Sequence, residues 1–141
     1  MEFVNQLPKV VLTGGSRFLC SHLLNNEAFR KALVIGRTQP RNHQYFQKVS
    51  FNANDSLAEA FKNKDVGVHL AARAHVINDS AQNPLNEFRN VNIIGILNLA
   101  KKAAIAVVKR FIFINTIKVL GEQTTPGKAF KDGNSFNPQH P

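Results

Sequence analysis

The stretch VVLTGGSRFLC, Val10 to Cys20, decides how the chain is read. An apolar run meets Thr-Gly-Gly-Ser and then an amphipathic segment, the order in which a buried strand turns into a helix in an open α/β sheet. Such sheets bind ligands beyond the carboxyl ends of their strands. The first strand-to-helix turn there offers free N–H groups and a helix dipole to a pyrophosphate. Glycines at the turn have separate jobs: the tight turn itself, close backbone approach to phosphate, and close packing of helix on strand. Gly14 and Gly15 can serve the turn. Arg17 stands where close approach is needed, and Cys20 where the helix must lie flat on the sheet. The outline is that of a dinucleotide cradle with two altered positions.

Outward from this stretch, apolar runs alternate with amphipathic segments. KVVLT (9–13) reads as a first buried strand, and Arg17 to Asn26 as a helix carrying Phe18, Leu19, Leu23 and Leu24. KALVIG (31–36) is a second strand, KVSF (48–51) a weak third, and DSLAEAFKN (55–63) a helix with Asp55 or Ser56 as N-cap. VGVHLAA (66–72) is a fourth strand. Pro84 opens the longest helix, 84–105, whose last turns carry Lys101 and Lys102, charge suited to a helix C-terminus. RFIFINT (110–116) is the fifth and most hydrophobic strand. Continuous Val/Ile/Leu/Phe strands with helices between them indicate parallel βαβ units covered on both faces. The predicted fold is therefore α/β, a Rossmann-type doubly wound parallel sheet ending after about five strands. Residues 1–120 are expected to form this Rossmann-like domain, and 121–141, with no periodicity, a loop or tail.

Composition narrows the alternatives. The 141 residues are the size of one ordinary domain, and 43% hydrophobic content suffices for a core. No apolar run reaches the roughly 18 to 20 residues of a membrane span, and MEFVNQLPK has neither a basic start nor an apolar signal core. One cysteine excludes an internal disulfide framework and fits a reducing compartment, with the cytoplasm as default. The net charge of +9 could attract a polyanion, but the basic residues are dispersed over helix ends and connections such as Lys62, Lys64, Lys109 and Arg110. No nucleic-acid motif accompanies them. His69 and His75 pair with no Cys, Asp or His at metal-ligand spacing, so no metal site is expected.

TGGSRFLCSHL resembles the T-G-G-x-G-F-L-G-S-H-L opening of the extended short-chain dehydrogenase/reductases, the NAD-dependent epimerase/dehydratase family. Further matches follow in order. DVGVHLAARAHV (65–76) looks like the family's fourth strand and its cofactor-lining turn, NVNIIGILNLAKKA (90–103) like N-V-x-G-T-x-N-L, and KRFIFINTIKVLGE (109–122) like the fifth strand running into S-S-x-x-V-Y-G. The segment SLAEAFKNKD has the length expected before strand four. The similarity covers 9–141 and looks nearest to the bacterial surface-polysaccharide branch of sugar epimerases and reductases.

The resemblance implies a nucleotide-sugar substrate and a set of site residues. Gly14 matches the first glycine with Gly15 beside it, and Phe18 and Leu19 the pair flanking the pyrophosphate. Arg17 either clamps phosphate by its side chain or obstructs the site. Where the family has an acidic residue for the adenosine ribose, this chain has Gly36 and then Arg37, the change that accommodates a 2′-phosphate. NADP is thus as plausible as NAD, and Arg37 as a solvated side chain is the alternative. Asn52 stands where an Asp meets adenine, Leu70, Ala71 and Ala72 align beneath the cofactor, and Asn92 with the helix Asn. Thr116 aligns with the Ser/Thr that bonds the substrate hydroxyl, or is a mere backbone partner at a strand end.

The family's proton transfer rests on Tyr-x-x-x-Lys, and loss of such a base costs on the order of 10²- to 10⁴-fold. Here the only tyrosine is Tyr45, with Val49 at the position its lysine would need. The sequence stops at Pro141, about where the pair belongs. The expectation is an N-terminal dinucleotide-binding part of an NAD(P)-dependent nucleotide-sugar epimerase, dehydratase or reductase, inactive by itself. The alternative is a catalytically silent remnant or weak nucleotide-binding module. In the family, dimers form through the long helix and the Tyr-x-x-x-Lys helix; half of that pair is missing here, which leaves the oligomeric state open.

Overall fold

The computed structural model describes residues 7–15, 18–51, 57–72 and 83–139. In chain order the elements are β1 (Val10–Thr13), α1 (Phe18–Leu24), β2 (Leu33–Gly36), β3 (Phe46–Lys48), α2 (Leu57–Phe61), β4 (Val66–His69), α3 (Pro84–Arg89), α4 (Ile96–Ile105) and β5 (Arg110–Phe113). The five strands make one parallel sheet in the order β3-β2-β1-β4-β5. The chain winds from β1 outward through β2 to β3, then returns to the far side of β1 for β4 and β5. The order therefore reverses between β1 and β4, the switch point at which open α/β sheets bind ligands. This is the predicted doubly wound architecture.

Alternate residues of the central strands supply two cores, as period-two side-chain geometry requires. Val11 and Ile35 pack with Leu57, Ala60 and Phe61 of α2 and Leu99 and Ala103 of α4. Val10, Leu12, Val34 and Val68 pack on the opposite face with Ala32 and with Cys20 of α1. Gly67 in β4 leaves room for two rings over the strand, since a Cβ there would lie 3.0 Å from Phe61 and 3.1 Å from Phe111. At the amino ends of the strands, Asp65 accepts from the Lys9 amide (2.8 Å) and pairs with Lys109 (2.8 Å), tying the starts of β1, β4 and β5 together. The Lys109 hydrogen bond and the Lys9 amide hold the Asp65 carboxyl below the usual carboxylate range.

Several boundaries differ from expectation. β3 occupies 46–48 rather than 48–51: Phe46, Gln47 and Lys48 pair with Val34, Ile35 and Gly36, while Phe51 takes a left-handed φ of 61° incompatible with a continuing strand. β4 ends at His69, three residues early, because the next amides turn aside to a side chain described below. β5 ends at Phe113 rather than 116. The long helix does span 84–105, with Pro84 in its first turn and Asn83 accepting from the Asn86 amide, but residues 90–95 are a π-helical segment joining α3 to α4. Asp55 and Ser56, the expected caps of α2, lie outside the described residues, as does His75. The stretch after Gly121 carries no regular element through 139, yet it folds back: Phe130 lies against Gly121, and the Asn137 amide donates to Val119 O at 2.9 Å.

Candidate functional site

The carboxyl ends of β1 and β4 meet at the switch point. Gly14 follows β1 with φ of +79°, a conformation that a Cβ disfavours, and a Cβ there would lie 2.8 Å from Ala71 N and 2.9 Å from Leu70 C. The glycine turn and the β4 turn are thus backbone against backbone. Gly15 has a different reason: its Cβ would meet Pro40 and Val34, each at 2.7 Å, so it is packing against the β2–β3 connection that demands glycine. Cys20 is fully buried in the second core, and burial pushes its thiol up to about 11. It acts as apolar filler where helix meets sheet, and not as a nucleophile.

Thr13 holds the two turns together. Its hydroxyl oxygen accepts from the Leu70 and Ala71 amides, both at 3.1 Å, and lies 2.8 Å from Nδ1 of His69. With both lone pairs taken, the hydroxyl has only its proton to give, and Nδ1 is the acceptor. The imidazole is then neutral with its own proton on Nε2. Burial agrees, pushing the His69 pKa from 6.5 down to about 4. Nε2 has no hydrogen-bond partner among the described residues, and the ring packs beside Phe111 and Phe113. Sequence reasoning singled out neither Thr13 nor His69 for this role. The available signal was a polar residue ending each of two otherwise apolar strands, VVLT and VGVH.

The structure brings some predicted site residues together and separates others. Gly14, Gly15, Leu70 and Ala71 line the switch point, with Ala72 following. Phe18 and Leu19 open α1 with exposed side chains. Arg37 is exposed immediately after β2. Asn92 lies half-buried in the π-helical segment. Thr116 is exposed and accepts from the Lys118 amide at 3.3 Å, capping a short 3₁₀ turn over Ile117–Leu120. Arg17 and Asn52 lie outside the described residues. No cluster of His, Cys, Asp and Glu that could hold a metal occurs among the described residues, and no helix there is long and apolar enough to cross a membrane.

A parallel sheet with a glycine turn wedged against the β4 turn at its switch point defines the Rossmann-like class of domain. Residues 10–141 match the sequence profile of the NAD dependent epimerase/dehydratase family, and the chain belongs to that family. A curated relative, UDP-glucose 4-epimerase from Vibrio cholerae, is 38% identical over 140 residues, covering 95% of this chain and 43% of its own length. Among solved structures, the UDP-N-acetylglucosamine 4-epimerase of Methanobrevibacter ruminantium M1 superimposes with a TM-score of 0.73 at 28% identity, over 94% of this chain and 44% of that one. A Bordetella bronchiseptica enzyme in complex with NAD and UDP shares the fold at 23% identity, with a TM-score of 0.71 over 94% of this chain and 44% of its own. The chain thus spans less than half the length of these relatives.

Proposed function

We propose that these residues are the N-terminal dinucleotide-binding part of an NAD(P)-dependent nucleotide-sugar epimerase, dehydratase or reductase. Residues 1–120 are its NAD(P)-binding domain, and 121–141 lead toward the catalytic helix. The observation that carries this reading is the contact of Gly14 with the β4 turn, because a tight first-glycine turn at a β1–β4 switch point is where such folds seat a pyrophosphate. Relatives crystallised with NAD, and with UDP or a UDP-sugar, support the ligand classes.

Gly14, Gly15, Arg17, Phe18 and Leu19 face the pyrophosphate in this reading, Arg37 the adenosine ribose and Asn52 the adenine. Leu70, Ala71, Ala72 and Asn92 lie along the cofactor, and Thr116 meets the substrate hydroxyl. A bound nicotinamide supplies the hydride chemistry. The residues here bind and orient it, but Tyr45 is the only tyrosine and belongs to no Tyr-x-x-x-Lys. The 141 residues alone therefore bind without turnover. Calorimetric titration with NAD and NADP tests this. Saturable submillimolar binding of either supports a working cradle, and binding of neither leaves the silent remnant as the reading.

A further inference from the structure

We propose that the cradle selects NADP over NAD, with Arg37 meeting the adenosine 2′-phosphate; this rests on the reading just given. In a dinucleotide fold the residue about 20 positions beyond the first glycine ends the second strand and decides between ribose hydroxyl and ribose phosphate: an acid accepts from the 2′-hydroxyl, whereas an arginine pairs with a 2′-phosphate. Here that place is Gly36, the last residue of β2, and its missing Cβ faces open space with no atom within 4 Å. Arg37 and Thr38 follow, both exposed.

The segment around Arg37 carries one sign of charge. From Ala28 to Asn54 the sequence holds Arg30, Lys31, Arg37, Arg41 and Lys48 and no Asp or Glu. Neighbouring α1 adds no acid, and Asp65 lies at the opposite, amino end of the sheet. A 2′-hydroxyl thus loses its customary acceptor, while a phosphate dianion meets a field of its own preference.

The connection bearing these residues is pinned and does not simply trail in solvent. Pro40 is buried beneath Gly15, the His43 ring donates through Nε2 to Ala32 O at 2.8 Å, and Gln39 donates to His43 O at 2.7 Å. A cleft of about 890 Å³ runs between this connection and α1, with Thr38 and Arg41 on its wall. Arg37 thus lies between the end of β2 and a braced connection, which lowers the ordering cost of phosphate binding.

The test is calorimetric titration of the whole chain with NADP, NAD, 2′,5′-ADP and 5′-AMP, repeated on Arg37→Ala and Gly36→Asp. The open space at Gly36 admits the aspartate, and matching melting curves confirm both variants are folded. The expected result is at least tenfold tighter binding of NADP than NAD and of 2′,5′-ADP than 5′-AMP. Arg37→Ala removes that preference and Gly36→Asp reverses it. Equal binding of the two cofactors, tighter NAD binding, or a preference untouched by Arg37→Ala overturns the inference while leaving the proposed function standing. Binding of neither cofactor overturns both.

Discussion

β1 and β5 are near neighbours in one sheet, separated only by β4, and each carries three apolar residues in four. Yet Val10 to Thr13 are all buried, whereas Ile112 is 37% and Phe113 43% exposed. β1 has a strand on each side and helices on both faces; β5 has β4 on one side and, among the described residues, no strand on the other. Apolar character makes a segment fit for burial, but burial is conferred by what packs on it. An exposed edge of this kind also presents unpaired backbone groups to any passing strand.

The contrast can be broken most directly by truncating side chains at its two ends. Phe61→Ala removes a ring fully enclosed beneath the central strands and should cost about 3–5 kcal/mol, whereas Ile112→Ala on β5 should cost less than about 1 kcal/mol. Urea unfolding of both variants measures this. Equal losses would mean that β5 is covered in solution and the comparison is false.

Acid sharpens the same boundary at Thr13 and His69, where buried β1 meets β4. The unfolded imidazole titrates near 6.5 and the folded one at about 4, so the unfolded state takes the proton first as pH falls. Stability is full above pH 6.5 and declines between there and pH 4, by about 3 kcal/mol for the two and a half units. Asp65, with its carboxyl held low, adds its own loss only below the ordinary carboxylate range. Urea midpoints at pH 7, 5.5 and 4.5 should fall in sequence, and His69→Gln should flatten that slope. An unchanged slope in the variant would assign the acid sensitivity elsewhere.

The smallest effect lies at the end of α4, where the chain turns toward β5. Val108 N donates to Ala103 O and Val107 N to Ala104 O, both at 3.0 Å, the paired bonds of a Schellman turn. The residue at its centre must be left-handed, and Val107 takes φ of 58° with an exposed, β-branched side chain. Val107→Gly should therefore raise stability by about 1–2 kcal/mol, read as a higher melting temperature. A lower one would show that the valine side chain contributes packing that outweighs the strain.

Much of the scaffold was legible in the linear order of residues. The runs VVLT, LVIG, VGVH and RFIF each lie within a predicted strand, because the strands of a parallel sheet read as short, near-continuous apolar runs. Pro84 and Lys101–Lys102 bracketed the long helix for reasons of local backbone and dipole chemistry. β3 was misplaced because an edge strand needs little hydrophobicity: Phe46-Gln47-Lys48 carries one apolar residue, while buried Val49 just beyond it attracted the assignment. Nothing in Asn90–Gly95 announced a π-helical segment, and the aperiodic stretch after Gly121 gave no sign of folding back.

The candidate site divides along the same line. Residue order alone determined the glycine turn, the absence of an acid at the end of β2 and the family, since each depends on neighbours a few positions apart. Only the tertiary structure decided that Gly14 abuts Ala71, that Gly15 rests on Pro40 and that Thr13 bridges to His69, 56 residues away. Such contacts exist because parallel strands distant in the chain end side by side. Their distances and protonation states are properties of that juxtaposition, which no local pattern encodes.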